Sequence, residues 1–545
     1  MLSRPSGAIK GRLIGMRGDA MFETAELGRT IAKKAFKKTA PVLRGELLEL
    51  QDELHREQHF QVILVFAGVD GGGKGETVSL LNEWMDPRWL ITRAYDEASD
   101  DERERPEFWR YWRDLPPRGR IGMFMSAWYS QPVLDRVYEH ADEATFLEKL
   151  SRIVSFERAL ARDGALILKF WMHLSREAQE HRLKNLEGDP LTKARVTESD
   201  WEHWQLYDRF IDTAEQVITR TNRGLAPWTV VEGVDPHYRG ITVATILRDA
   251  LQRHLREGET NGASFESPSK HDGARKKKPK SPSKRKKSAE TGSTNGAAEP
   301  FANAITVLTR LDMSQRLGKS AYSAQLVELQ ARLHRLHLRA KAKKVSSILL
   351  FEGPDAAGKG GAIRRINEGL DARNYQVNGI AAPTDEEKAQ HYLWRFWRHL
   401  SRAGHITIFD RSWYGRVLVE RIEGFASEDE WRRSYAEIND FENQLIEHGI
   451  VLVKYWIHIT KDEQLARFKL REKTPYKRWK LTDEDWRNRD KWDDYERAVN
   501  DMVQYTSSSA APWTLVEGND KRFARVKVVK TFCDRLAVAL GDAAD

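Results

Sequence analysis

Along most of this chain, short unbroken apolar runs alternate with longer stretches whose apolar residues recur every three or four positions. The runs are four to eight residues long and bounded by Gly, Pro or charged residues, as expected of strands buried on both faces. Ile63–Phe66, Leu90–Tyr95, Ile121–Met125, Ala165–Trp171 and Pro227–Gly233 read this way. The helical stretches between and around them cover about 22–57, with Leu43, Leu47, Leu50 and Leu54 on one face, and 108–113, 147–162, 176–186 and 239–256. Strands alternating with helices predict an α/β fold, a parallel sheet flanked by helices.

The pattern then repeats. Ile348–Phe351 replays Ile63–Phe66 at an offset of 285 residues, and the match continues without a gap through Trp394 and Trp397, Trp413-Tyr414, Phe441-Glu442, Lys454, Trp456 and His458 to Glu517-Gly518. Upstream, Leu326, Leu329 and Leu333 match Leu47, Leu50 and Leu54 at an offset of 279, so six residues are inserted near 338–343. Two fused copies of one domain follow from this identity at fixed spacing. The expected boundaries are a disordered tail over 1–21, a first domain over 22–257, a linker over 258–300 and a second domain over 301–545.

Composition adds a few bounds. The single cysteine, Cys533, excludes a disulfide framework and fits a reducing compartment. No apolar run approaches a membrane span, and the basic N-terminus lacks the apolar core of a signal peptide. The expected location is the cytoplasm, without membrane partners. The formal net charge of +8 is uneven. Residues 258–300 hold ten Lys or Arg against five acids, so this linker carries more than half of the surplus. The rest is near neutral, so the basic balance implies no specific nucleic-acid partner. The linker's basic cluster, Arg275–Lys287, suits a solvated tether or a sticky patch for a polyanion.

The chemistry lies after the first strand of each copy. Gly353-Pro354-Asp355-Ala356-Ala357-Gly358-Lys359-Gly360 joins a strand to a helix with the spacing of a phosphate-binding P-loop. Backbone N–H groups and the helix N-terminus favour an anion, and Lys359 adds a point charge. The Ser or Thr that normally follows the lysine and holds Mg²⁺ is Gly360. Asp355 is the candidate to replace it. The counterpart in the first copy is Gly68-Val69-Asp70-Gly71-Gly72-Gly73-Lys74-Gly75.

The copies diverge at the next site. In the second, the strand His405–Phe409 runs into Asp410-Arg411-Ser412-Trp413-Tyr414-Gly415-Arg416, a carboxylate at a strand's carboxyl end as in a Walker B segment. Arg411, Arg416 and Arg421 place positive charge at the same edge. The first copy has Met125, Ser126 and Gln131 where the second has Asp410, Arg411 and Arg416, and keeps only Arg136 for Arg421. Transfer chemistry is therefore expected in the second half alone. A basic stretch from Arg467 to Lys480, containing Lys477, Arg478 and Lys480, reads as a solvated helix pair or as a lid closing over phosphates. The tryptophans at 394 and 397 and His458 read as packing.

The glycine after the P-loop lysine, the Asp410-Arg411-Ser412-Trp413-Tyr414 run and Lys454-Tyr455-Trp456-Ile457-His458 together resemble the polyphosphate kinase 2 family. The duplication resembles its fused two-domain members. The resemblance implies tandem P-loop kinase-like domains of the thymidylate-kinase type, each with a helical lid, and dependence on Mg²⁺. It implies reversible phosphoryl transfer between inorganic polyphosphate and AMP or ADP, and a possible homo-oligomer. It carries functional roles to Asp355, Lys359, Asp410, Arg411, Arg416 and Arg421, and to Lys477, Arg478 and Lys480. Asp355 and Asp410 are the expected metal ligands; Gly353, Ala356, Ala357, Gly358 and Gly360 are the expected phosphate cradle. A nucleotide kinase with another donor or acceptor, or a polyphosphate-binding scaffold, are the alternative readings.

Overall fold

The computed structural model describes residues 21–190, 192–262, 306–473 and 483–542. It contains two five-stranded sheets with all neighbouring strands parallel. The first is built from β1 (Val62–Gly68), β2 (Leu90–Ala94), β3 (Ile121–Met125), β4 (Leu166–His173) and β5 (Trp228–Glu232), in the order β2-β3-β1-β4-β5. The second uses β6 (Ser347–Glu352), β7 (Tyr375–Gly379), β8 (Ile406–Asp410), β9 (Val451–His458) and β10 (Trp513–Glu517), in the matching order β7-β8-β6-β9-β10. Helices cover both faces of each sheet. The central strands β6 and β9 are therefore buried along their whole length, which is why their sequences are continuous rather than alternating apolar runs.

Most predicted elements are present, with shifted ends. The helix expected from residue 22 begins at Lys33, preceded only by a short 3-10 turn over Glu23–Ala25. Between them the chain crosses the carboxyl edge of the first sheet. There Glu232 accepts from the backbone N–H of Gly28 and Arg29, at 2.7 and 3.1 Å, and Asp235 accepts from Ile31 at 2.7 Å. The helix Glu143–Arg162 starts four residues earlier than expected, because Asp142 caps it by accepting from Thr145 N. Two unpredicted helices, Glu198–Gln205 and Tyr207–Thr221, follow the charged helix Arg176–Gly188. The last helix of the first domain continues to Gly262; the tail and the rest of the linker lie outside the described residues.

Each sheet has a private core on its outer face. Leu47, Leu54, Leu247 and Leu251 pack there in the first domain, and Leu333, Leu336, Val528 and Phe532 in the second. The inner faces share one continuous core across the two domains. At its centre Trp112 stacks on its own duplicate, Trp397, with ring centroids 6.0 Å apart and planes 15° from parallel. Arg105 Nε donates to Leu400 O at 3.1 Å, and the duplicate pair repeats this: Gln390 Nε2 donates to Leu115 O at 3.2 Å. The domains therefore meet about a pseudo-two-fold axis, as an isologous dimer would. The buried Asp163 carboxylate joins Arg118 of its own domain, at 3.1 Å, to Arg433 of the other, at 3.0 Å.

Trp397 is 1% exposed, so Trp397→Ala should open a cavity at the axis and cost about 3–5 kcal/mol. Guanidinium denaturation followed by near- and far-ultraviolet dichroism checks this: the midpoint should fall and a single transition should divide into two.

Candidate active site

The P-loop leaves β6 and enters the helix Lys359–Asn367. Gly353 has φ 148° and lies so close to β9 that an added Cβ would sit 2.5 Å from Ile457 O, so no side chain fits. Ala356 holds φ 65° without that excuse, where the first copy has Gly71. The loop is held from behind by Arg467. Its guanidinium donates to Ala356 O (2.9 Å), Ala357 O (2.8 Å), Gly518 O (2.7 Å) and Asn519 O (3.0 Å), and to Glu463 (2.6 Å). Arg467, read from sequence as part of a basic lid, is thus a clamp on loop carbonyls. Lys359 Nζ donates to Gly353 O at 2.7 Å and lies inside the loop.

Asp410 ends β8, in register with Phe351 of β6, so it stands beside the loop at the carboxyl edge of the sheet. Asp355, Lys359, Asp410 and Arg411 line one cleft of about 840 Å³, together with Ala356, Ala357, Gly358 and Gly360. Gly353 lines the neighbouring pocket. Asp355 is bound by Arg411 Nη2 at 3.2 Å and Asn488 Nδ2 at 2.9 Å. Burial alone would raise its pKa, but Lys359, Asn488 and Arg411 outweigh burial and hold the carboxyl below its ordinary range.

Arg416 and Arg421 are not brought into this cleft. Arg416 pairs with Glu420 at 3.2 Å and lies over the Tyr392 ring at 4.5 Å. Arg421 pairs with Asp501 at 2.8 Å and Tyr435 at 3.1 Å, over the Trp431 ring. Lys477, Arg478 and Lys480 lie outside the described residues, between the helices Lys461–Lys473 and Asp483–Asp490. In place of the two arginines the cleft receives three others: Arg364 from the loop helix, Arg471 from the helix after β9 and Arg525 from the final helix. Arg364 could have been found by its position one turn into the loop helix. Arg525 carries no local signal, because only the fold brings the final helix to the loop.

Glu352 was also missed. It ends β6 at 5% exposure and accepts from Ser412 Oγ at 2.7 Å. Burial, reinforced by the nearby Asp410, pushes its carboxyl pKa up despite Ser412, Lys359 and Arg411. A second, apolar pocket opens beside it, lined by Leu418, Trp456, His458, Trp492 and Tyr495.

Behind the cleft is a sealed ion pair. Lys454 Nζ on β9 contacts Glu442 at 2.6 Å, Tyr414 OH at 3.1 Å and Thr506 O at 2.7 Å, while Trp413 and Tyr414 donate to the same glutamate. Burial pushes the Glu442 carboxyl up and the Lys454 ammonium down. The first copy repeats every contact: Lys169 with Glu157 at 2.7 Å, Tyr129 at 2.9 Å and Thr221 O at 2.9 Å.

The first copy's loop has lost its charge partners. Met125 occupies the register position of Asp410. Ala67 and Ala127 replace Glu352 and Ser412, and Ser79, Ser126, Leu186 and Gly240 replace the cleft arginines 364, 411, 471 and 525. Glu76 stands where the second copy has Gly361, in the first turn of the loop helix, and pairs with Arg182 and with Arg239, the latter at 2.5 Å.

The polyphosphate kinase 2 description matches the chain twice, over residues 30–258 and 316–543. The chain belongs to the polyphosphate kinase 2 family. It is 49% identical over 522 residues to a polyphosphate:AMP phosphotransferase of Pseudomonas aeruginosa, covering 95% of this chain and 99% of that protein. It is 47% identical over 520 residues to the protein of that name from Pseudomonas syringae pv. tomato, with the same coverage. A crystal structure of a polyphosphate kinase 2 from P. aeruginosa superposes with a TM-score of 0.82 at 47% identity, covering 96% of this chain and all of that one. Among the described residues, no helix is long and apolar enough to cross a membrane.

Two outcomes follow from the buried groups. Glu442→Gln leaves the Lys454 charge sealed without its counter-ion and should cost about 3–5 kcal/mol, and Glu157→Gln in the first copy should cost as much. Urea denaturation of both variants checks it; a large loss in one copy alone contradicts it. Burial holds His458 neutral down to about 4, from an ordinary value of 6.5. The unfolded chain takes up that proton near 6.5, so stability present above that pH falls away between 6.5 and 4, by roughly 3 kcal/mol. Stability measured across this range should be flatter in His458→Gln.

Proposed function

We propose that the second domain transfers the terminal phosphoryl group of inorganic polyphosphate to AMP, giving ADP, and that the first domain carries no transfer chemistry. The observation that carries this reading is the asymmetry between the duplicated loops. One cleft holds Asp355, Asp410, Glu484 and Asp485 with four arginines; the first copy keeps Asp70 and Asp200 but has Met125 and Ser199 for the other two carboxylates, and has lost all four arginines. The near full-length relatives named polyphosphate:AMP phosphotransferase support the choice of donor and acceptor.

The acceptor oxygen belongs to a phosphate that is already anionic at neutral pH, so no strong general base is needed. Catalysis then consists of alignment and of neutralising charge on the transferred group. Loop amides from Gly353 to Gly360 and the Lys359 ammonium hold phosphate oxygens. Arg364, Arg411, Arg471 and Arg525 offset the charge of a chain that carries about one negative charge per phosphate. Arg411 also reaches Asp355, linking the phosphate cradle to the metal-binding edge. The acceptor's nucleoside is assigned to the apolar pocket of Leu418, Trp456, Trp492 and Tyr495, which abuts Asp355 and Arg411. Arg416 and Arg421, held by Glu420 and Asp501, position the turn after β8. Lys477, Arg478 and Lys480 would add positive charge for the phosphate chain.

Asp355 and Asp410 would hold Mg²⁺. Both are hard oxygen donors lining one cleft, and among the described residues no group of three or more ligating side chains converges. Such a sparse set suits Mg²⁺, which keeps several waters and takes the rest of its shell from phosphates. Bound there, the ion would neutralise charge on the transferring group.

ADP formation from AMP should proceed with polyphosphate and fail with ATP as the only donor. Asp410→Asn should lower turnover by about 10²–10³ or more. Restoring Met125→Asp and Ser126→Arg in that background should not recover it, because the first copy also lacks Glu352 and three other arginines. Turnover surviving in Asp410→Asn would place the chemistry elsewhere.

A further inference from the structure

The first domain has lost positive charge at the carboxyl edge of its sheet and gained it at the opposite edge. There the end of the helix Glu143–Arg162 and the turn leading into β5 enclose a pocket of about 160 Å³. Arg158 and Arg162 line it from the helix, and Arg223 and Leu225 from the turn. The second copy has Asn443, Glu447 and Ser508 in the places of the three arginines, so three positive charges stand where the duplicate has one negative charge.

The fold does not need these charges. All three arginines are exposed, and among the described residues none of their guanidinium groups forms a hydrogen bond or an ion pair. The carboxylate in the wall, Glu157, is already committed to Lys169, Trp128 and Tyr129. Asp440 of the second domain senses the Arg158 charge without pairing with it, and its own hydrogen bond goes to Ser155. Arg223 works against the sealed Lys169: burial, and then Arg223, push that ammonium pKa down despite Glu157. Arg158 and Arg162 stand four residues apart on one helix, a like-charge spacing that destabilises it. An anion in the pocket relieves each of these conflicts.

Guanidinium groups bind phosphate oxygens through paired hydrogen bonds. Three of them around one pocket, with no uncommitted acid in its wall, exceed the charge of a single phosphate and suit a run of phosphates. The same helix reaches the second domain, where Arg152 pairs with Glu447 at 2.8 Å at the end of the helix Glu428–Glu447. We propose that this pocket anchors a second stretch of the polyphosphate chain whose end is held in the second domain's cleft. The inference rests on polyphosphate being the donor. A chain held at two places binds its second site at a high effective concentration, and a chain too short to span them gains nothing. The first domain then contributes to donor affinity without taking part in transfer.

The test compares long-chain polyphosphate, of roughly a hundred phosphates, with tripolyphosphate, which cannot span two sites. In the full chain, Arg158→Gln, Arg162→Gln and Arg223→Gln combined should raise KM for the long chain about tenfold with little change in kcat, and shift the KM or competition constant of tripolyphosphate less than about twofold. Binding of the long chain without AMP, read by titration calorimetry, should weaken by the same factor and depend less steeply on salt. Lys33→Gln, Lys37→Gln and Lys38→Gln combined removes the same charge from exposed positions of the first helix and should change neither readout. Arg162→Glu alone, which installs the duplicate's residue, should act in the same direction as the arginine triple variant, and it decides if the triple variant fails to unfold cooperatively. Equal losses in the arginine and lysine variants overturn the proposal by showing general charge attraction, and equal losses for long and short chains overturn it by showing no second site. An oligonucleotide that displaces the long chain at equal phosphate concentration marks a nucleic-acid site and overturns it too. ADP formation is read separately. Long-chain binding that depends on the arginines, with no ADP formed from polyphosphate, would refute the proposed activity and leave the anchor standing; ADP formed with the same KM in the wild type and the arginine variant would do the reverse.

Discussion

In each half of the chain a lysine from a central strand is sealed against a glutamate at under 3 Å, and both are almost fully buried. Taking two charges out of water is expensive, and the cost is recovered only if every remaining donor and acceptor is met. Here each is: the lysine reaches a tyrosine hydroxyl and a helix-end carbonyl, and the glutamate receives an indole N–H and the same tyrosine. Those partners come from different places, namely β4 or β9, the helix after β3 or β8, the turn between them and the helix before β5 or β10. The pair therefore fixes the turn that follows β8. That turn includes Arg411, held at φ 66°, and begins at Asp410.

This network is intact in both copies while the residues around the two loops differ, so the duplication separates what the architecture needs from what lines the cleft. Trp413, Tyr414, Glu442 and Lys454 form a prominent shared motif, yet their counterparts Trp128, Tyr129, Glu157 and Lys169 persist beside Met125, where the second copy has Asp410. Their persistence is explained by the energetic penalty of an incomplete buried pair. Glu76 shows the opposite drift. A carboxylate in the first turn of the loop helix suits the helix dipole when nothing anionic must bind there, and it captures Arg182 and Arg239. Arg239 also donates to Gly233 O at 2.6 Å, so it takes over part of the clamp that Arg467 provides in the second copy.

Strand positions and the P-loop were legible in the sequence, because strands buried on both faces leave short apolar runs and an internal repeat tests each reading twice; the order of strands within the sheet was not. Asp355, Lys359, Asp410 and Arg411 were legible because they are local to the loop or to one strand end. Arg525 and Glu352 were not. Arg525 depends on a helix more than 160 residues away in sequence, and Glu352 passes for the polar end of an apolar strand. Arg416 and Arg421 were grouped with the site by proximity along the chain, but a tight turn sends neighbouring side chains in different directions, and nearby acids captured both. The segment over residues 26–32 continues a helical pattern by composition; hydrogen bonds to Glu232 and Asp235 outweigh it.

The stacked Trp112 and Trp397 have a consequence for how such a protein can change. Two separate chains meeting through this face would associate with an affinity that depends on their concentration, and every substitution at the face would be tested by dilution. Joined in one chain, the same surfaces meet at a fixed effective concentration. The interface can then become unequal, with Arg105 on one side answered by Gln390 on the other and Asp163 held by Arg433 without a mirror image. Symmetry ceases to be a requirement once dissociation is impossible, and one half is released to specialise while remaining the other's structural partner.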